Sequence, residues 1–212
     1  MKGKLITFEG IDGCGKTTIL NNIFNFFNKK YPDRFLKARD PGTTELGEEI
    51  RRLLLYKNMN KWAEFNLFLA ARAQLIKEFL IPNLKKGKII FLDRYYDSTI
   101  AYQGFRNNIP LKIIFDYNKK IEAIEPDLTL LFDLPIKLAQ KRILEDSKKH
   151  RKPTTFDKES LERHRKVYEG YKWIAKNFEN RVRVIDASKN IDEVTKEVKN
   201  IIDEFLAKIL NR

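Results

Sequence analysis

Apolar and polar positions along this chain follow two rhythms. Short β-favouring runs occur at Leu5–Glu9, Phe35–Arg39, Lys88–Leu92, Leu128–Asp133 and Val182–Asp186, and each has the length and composition of a strand. Between them lie longer stretches with apolar residues at helical spacing. Ile191, Val194, Val198, Ile201, Phe205 and Ile209 form one such stripe, as a helix with one buried face requires. Asn190, followed three residues later by Glu193, predicts a capping box at its start. Strands separated by helices long enough for crossovers predict an α/β fold, a five-stranded parallel sheet covered on both faces, in three layers. In such sheets ligands bind beyond the carboxyl ends of the strands. No repeat, low-complexity tract or Pro/Gly/Ser-rich linker interrupts the pattern, so residues 1–212 are read as a single domain.

Composition narrows the class. Hydrophobic residues make up 42% of the chain and aromatics 12%, enough for a packed core and against disorder. The formal net charge of +13 attracts anions, which leaves nucleotides and nucleic acid both in view. The single cysteine, Cys14, cannot form an internal disulfide or a metal cluster and reads as a small filler residue in a reducing compartment. The apolar run Leu5–Phe8 is too short for a signal-peptide core, and no segment approaches the roughly 18 apolar residues of a membrane span. These features predict a soluble, cytoplasmic protein without a membrane partner.

The first predicted strand runs directly into Gly10, Ile11, Asp12, Gly13, Cys14, Gly15, Lys16 and Thr17, a match to the Walker A pattern at every defined position. Its glycines allow successive N–H groups to point inward, and the helix that follows adds its positive end. Lys16 is suited to reach the β- and γ-phosphates, and the Thr17 hydroxyl to ligate magnesium. The second strand ends at Arg39 and the third is followed by Asp93 and Arg94, at the same sheet edge. Asp93 is suited to magnesium or its waters, while Arg39 and Arg94 offer bidentate donors for a second phosphate. Two phosphate sites point to transfer between nucleotides rather than hydrolysis. Phe68 and Arg72, four residues apart on one helix face, could hold a base, although core packing is the commoner role of a phenylalanine.

Four blocks make the chain similar to the thymidylate kinase family: Phe8, Glu9, Gly10 through Thr18; Arg39 to Thr44; Phe68 to Arg72; and Asp93 to Gly104, which reads Asp-Arg-Tyr-Tyr-Asp-Ser-Thr-Ile-Ala-Tyr-Gln-Gly. The resemblance implies a P-loop NTPase fold, ATP and Mg²⁺ as cofactors, dTMP as acceptor and a homodimer. It further implies that Asp12 orients the acceptor sugar through its 3′-hydroxyl and that Arg39 and Arg94 grip the acceptor phosphate. Phe68 would stack on thymine and Arg72 bond a base oxygen; Ser98 and Gln103 would line the pocket, and Tyr102 would crowd the ribose 2′ position. Arg142 would stack on adenine, with Ala187 and Ser188 touching the same base. A basic lid at about 147–157 would supply an extra cation, for which Arg151 is the choice with Lys148 and Lys149 as alternatives, because Gly13 and Cys14 stand where some family members carry a loop arginine. Three departures from the family pattern stand out. Asp40 replaces a usual glutamate, Thr43 replaces a common glycine, and the lid lacks the familiar Asp-Arg-x-Glu arrangement. Two alternatives stay open: a kinase for another monophosphate, and an ATP-dependent nucleic-acid-binding module motivated by the charge. The second is disfavoured because Arg94, rather than glutamate, follows Asp93.

Overall fold

The computed structural model describes residues 3–149 and 160–210. Five strands, β1 (Lys4–Gly10), β2 (Phe35–Arg39), β3 (Ile89–Asp93), β4 (Leu128–Asp133) and β5 (Val182–Asp186), pair in parallel in the order β2-β3-β1-β4-β5. The third strand lies one residue further on than its apolar run predicts. Asp93 is itself in the ladder, paired with Phe8 on β1 and Arg39 on β2.

Alternate side chains of each strand serve opposite faces. Ile89 and Phe91 of β3 enter one apolar cluster with Phe8, Phe27 and Phe35, whereas Ile90 and Leu92 join Leu5, Leu75 and Leu80 in another. The first face is covered by α1 (Lys16–Lys30) and α9 (Ile191–Leu210), which pack on each other. On α9 the buried residues are Val194, Val198, Ile202 and Leu206, so the core-facing stripe is rotated from the predicted one: Ile201 and Phe205 are half-buried and Ile191 is exposed. In the same cluster the rings pack closely, with Phe91 5.6 Å from Phe8 and 5.1 Å from Phe35. Asn190 and Glu193 form the predicted capping box: Glu193 N–H donates to Asn190 Oδ1 at 2.9 Å, and Asn190 N–H donates to Glu193 Oε2 at 3.4 Å.

The remaining helices are α2 (Glu45–Tyr56), α3 (Lys61–Leu75), α4 (Ile81–Lys85), α5 (Tyr96–Thr99), α6 (Leu111–Lys120), α7 (Ile136–Lys149) and α8 (Leu161–Asn177), with α2 packed on α3 and α8 on the Ile100–Arg106 stretch. The stretches Ile76–Leu80 and Ile100–Arg106 are π-helical, a local widening frequent at functional sites. Because α7 continues to Lys149, Ser147, Lys148 and Lys149 of the expected lid are helical. Its remainder, with His150 and Arg151, lies outside the described residues. Among the described residues no helix is long and apolar enough to cross a membrane.

The strand order explains the site. β1 sits at the centre with β3 on one side and β4 on the other, so the loops leaving β1 and β3 diverge beneath a common cleft, as at other switch points in parallel sheets.

Candidate active site

The loop after β1 bends where it does because of its glycines. Gly13 has φ of 79°, and a Cβ there would lie 2.7 Å from the Ala139 carbonyl oxygen; at Gly10 a Cβ would meet the Phe132 oxygen at the same distance. Only glycine meets both demands without displacement. The loop closes a cleft of about 460 Å³ lined by Ile11 through Thr18, Arg39, Asp40, Phe68, Arg72, Asp93, Arg94, Ser98, Tyr102 and Gln103, a volume in the range of ligand sites. Ile11 through Thr18, Arg39, Phe68, Arg72, Arg94, Ser98, Tyr102 and Gln103 therefore border one cavity; Gly10 does not, and its carbonyl accepts from Arg94 Nη1.

Lys16 Nζ contacts Asp93 Oδ1 at 2.8 Å, and Thr17 Oγ1 donates to Asp93 Oδ2 at 3.1 Å. Burial works to raise the Asp93 pKa, but the charges of Lys16 and Arg94 and the bonds from Lys16 and Thr17 outweigh it and hold the carboxyl below its ordinary range. Asp93 Oδ1 therefore faces the Lys16 ammonium inside the buried site. An ionised carboxylate beside a hydroxyl is a donor set for a hard cation.

Arg94 is held from every side. Its backbone lies in the left-handed region at φ of 64°, uncommon for a residue with a side chain and costing strain. Nη2 donates to Asp12 Oδ1 at 2.7 Å, and Nη1 donates to Gly10 O at 2.9 Å, Ser98 Oγ at 3.1 Å and Tyr171 OH at 2.9 Å. Burial opposes its charge, yet Tyr102, Asp12, Tyr171 and Asp93 together raise its pKa. Tyr102 donates to Asp12 Oδ2 at 2.8 Å and lies between two guanidiniums, 5.1 Å from Arg94 and 5.3 Å from Arg106. Burial acts to raise Asp12, but Arg94 and Lys16 win and keep it ionised.

The base-side residues follow a different logic. Arg72 is buried, and its Nε donates to Asp40 Oδ2 at 2.7 Å, Nη1 to Asn118 Oδ1 at 3.1 Å and Nη2 to Thr99 Oγ1 at 2.8 Å. Three of the five N–H donors of a guanidinium are thus committed, which fixes the plane while leaving donors for the cleft. Asp40, the departure from the family's glutamate, is the ionic partner of Arg72. Phe68 packs against Ile50 and Leu54 and also borders the cleft. Gln103 is buried, with Nε2 donating to Glu64 Oε1 at 2.7 Å.

Arg39 is exposed at the mouth, its Nε and Nη2 paired with Glu48 at 3.2 and 2.7 Å. Thr43 occupies a left-handed backbone at φ of 72°, where glycine would be easier, but its hydroxyl accepts from Arg39 N–H at 2.8 Å. That bond offsets the strain. Across the loop, Arg142 donates to the Ala187 carbonyl at 3.3 Å, which brings those two residues together. Ser188 instead bonds Asp186. Buried Cys14 is a filler, its thiol pKa pushed up by burial.

Sequence reasoning missed Glu9, Tyr171 and Arg51. Glu9 was legible as a charge inside an apolar strand, where burial demands partners. Arg51 lines the cleft with Nη1 on the Pro41 carbonyl at 3.2 Å. Tyr171 carried no signal, because it lies at core spacing between Val167 and Ile174 of α8.

A parallel sheet with a Walker A loop at its switch point, a carboxylate beside the loop threonine and arginines opposite it defines a P-loop phosphotransferase of nucleotides. The thymidylate kinase family model matches residues 8–198, and the chain belongs to that family. It is 42% identical over 198 residues to the thymidylate kinase of Geobacillus sp. (strain WCH70), covering 92% of this chain and 93% of the relative. It is 36% identical to that of Ligilactobacillus salivarius (strain UCC118), covering 97% and 100%. The crystal structure of thymidylate kinase from Ehrlichia chaffeensis superposes with a TM-score of 0.79 at 29% identity, covering 96% of this chain and 99% of that one.

Proposed function

We propose that this protein is a thymidylate kinase, transferring the γ-phosphoryl group of ATP to dTMP to give dTDP and ADP. The single observation that carries the reading is that two sets of groups suited to phosphate border one cleft: the loop with Lys16 and Thr17, and the arginines Arg94 and Arg39. An acceptor phosphate oxygen attacks the γ-phosphorus in line, the bond from that phosphorus to the β-bridging oxygen breaks, and ADP leaves. No general base is needed, since the attacking phosphate is largely ionised at neutral pH. Lys16 moves from Asp93 to the β- and γ-phosphate oxygens, and Arg94 orients the attacking group.

Thr17 and Asp93 are the residues suited to hold Mg²⁺. When bound, that ion neutralises charge on the phosphates. Asp12 and Tyr102 contact the deoxyribose, Phe68, Arg72, Ser98 and Gln103 the thymine side, and Arg142 the adenine; Arg151 supplies a further cation from the lid. The reaction takes place in the cytoplasm.

The protein acts as a homodimer. Leu53 and Tyr56 on α2, Trp62 on α3 and Tyr117 on α6 are large, apolar and exposed; α3 and α6 are linked by the Trp62–Phe65–Tyr117 ring contacts and α2 packs on α3, which favours a covered face. Light scattering that returns the mass of one chain would remove this assignment. The activity itself is tested by ADP release with dTMP, dUMP, UMP, thymidine or no acceptor. Turnover confined to dTMP supports the proposal, and equal turnover without acceptor makes the protein an ATPase.

A further inference from the structure

Beneath Arg94 lies a buried carboxylate that the mechanism above does not use. Glu9 Oε1 accepts from Tyr95 N–H at 2.7 Å, which fixes the group's orientation. Its Oε2 accepts from Ser98 Oγ at 2.6 Å and from Tyr171 OH at 3.0 Å. Those two hydroxyl oxygens are the same ones that accept from Arg94 Nη1, at 3.1 and 2.9 Å. A hydroxyl has one hydrogen. When both hydrogens are spent on Glu9, both oxygens can only accept, and their lone pairs face the guanidinium.

We propose that Glu9 and Tyr171 are positioning residues for Arg94, with Glu9 setting the direction of the Ser98 and Tyr171 hydroxyls so that they hold one end of the guanidinium while Asp12 holds the other. Without the carboxylate, the hydroxyls are free to donate to each other, being 2.8 Å apart, or to turn their hydrogens toward Arg94. The guanidinium then loses two of the acceptors that keep its side chain aimed across the cleft. Tyr171 brings this control from α8, 77 positions away in sequence from Arg94.

The inference rests on the reading that Arg94 binds the acceptor phosphate. Glu9→Gln is the direct variant: its amide oxygen is drawn to the Tyr95 N–H, so its NH₂ faces the two hydroxyls and reverses both. Tyr171→Phe keeps the ring in its packing and removes one acceptor. At pH 8 the expected result for Glu9→Gln is a loss of about tenfold or more in kcat/KM for dTMP, with KM for ATP unchanged and a smaller loss in Tyr171→Phe. In an Arg94→Ala background the same substitutions should cost nothing further, because the group they position is gone. Equal losses in both backgrounds, equal losses toward ATP and dTMP, or no loss would overturn the proposal. If Glu9→Gln does not fold, the Tyr171→Phe cycle decides by the same criteria. Wild-type protein that fails to phosphorylate dTMP would overturn the functional reading instead.

Discussion

Arg94 Nη2 lies 2.7 Å from Asp12 Oδ1, so a single ion pair joins the turn after β3 to the loop that follows β1. The pair ties Arg94 to the Walker A loop. Removing the arginine in Arg94→Ala should lower kcat/KM for dTMP by about a hundredfold or more. Arg94→Lys should recover little, because an ammonium cannot serve Asp12 and a phosphate in the same plane. Steady-state kinetics with dTMP varied at saturating ATP measure both, and full recovery by lysine would show that charge alone matters.

A second prediction concerns stability alone. Arg181 donates Nη1 and Nη2 to the two carboxylate oxygens of Asp97 at 2.7 and 2.8 Å, and its guanidinium stacks 4.5 Å from the Phe178 ring centroid. Both residues are buried. Asp97→Ala leaves the buried cation with the exposed Glu125 carboxylate, 3.5 Å from Nε, as its remaining ionic partner, and should cost about 3–5 kcal/mol in urea denaturation. A loss below about 1 kcal/mol, the range of exposed pairs, would mean that water reaches Arg181.

The third prediction is a pH dependence. Burial first, and the nearby Asp97 second, push the Glu9 carboxyl up to about 7 from an ordinary 4.5, against the opposing effects of Arg94, Ser98 and Tyr95. The charged and titratable groups around it are Asp97 with its partner Arg181, Arg94 with Asp12, Tyr95 and Tyr171. Between those pH values the folded state binds more protons at Glu9 than the unfolded state, so stability must fall as pH rises. Wild type relative to Glu9→Gln should therefore lose on the order of a few kcal/mol between about pH 4.5 and 7 and then level off. Parallel stability curves for the two proteins over that range would contradict it.

How much of this was legible beforehand depends on the range of the interaction. The five strands follow from short apolar runs, and the helix from Ile191 to Leu210 follows from its stripe and capping box, since both are local signals. The cradle was legible because its chemistry is contiguous, and Arg39, Asp93 and Arg94 because strand ends in a parallel sheet converge. The partners of those residues were not. Asp40 with Arg72, Glu64 with Gln103, and Tyr171 with Arg94 are separated by 32, 39 and 77 positions, and nothing in the spacing of one partner names the other. The third strand shows the same limit on a small scale: the apolar run ends at Leu92, but ladder pairing extends to Asp93.

The fourth prediction addresses magnesium. Asp93→Asn keeps the shape but removes the charge that Lys16 and Thr17 address. The Mg²⁺ concentration giving half-maximal activity should rise by about tenfold or more, as for loss of a charged ligand or its orienting partner. Titration with Mg²⁺ at fixed ATP measures this, and an unchanged midpoint would remove Asp93 from the ion's surroundings.

The central claim is that the phosphoryl group passes from ATP to dTMP within one cleft. Protein incubated with γ-³²P-labelled ATP, Mg²⁺ and dTMP should place the label in dTDP, with none accumulating as inorganic phosphate and little in UDP when UMP is added in competition. Label recovered as inorganic phosphate, or preferentially in UDP, would contradict the account.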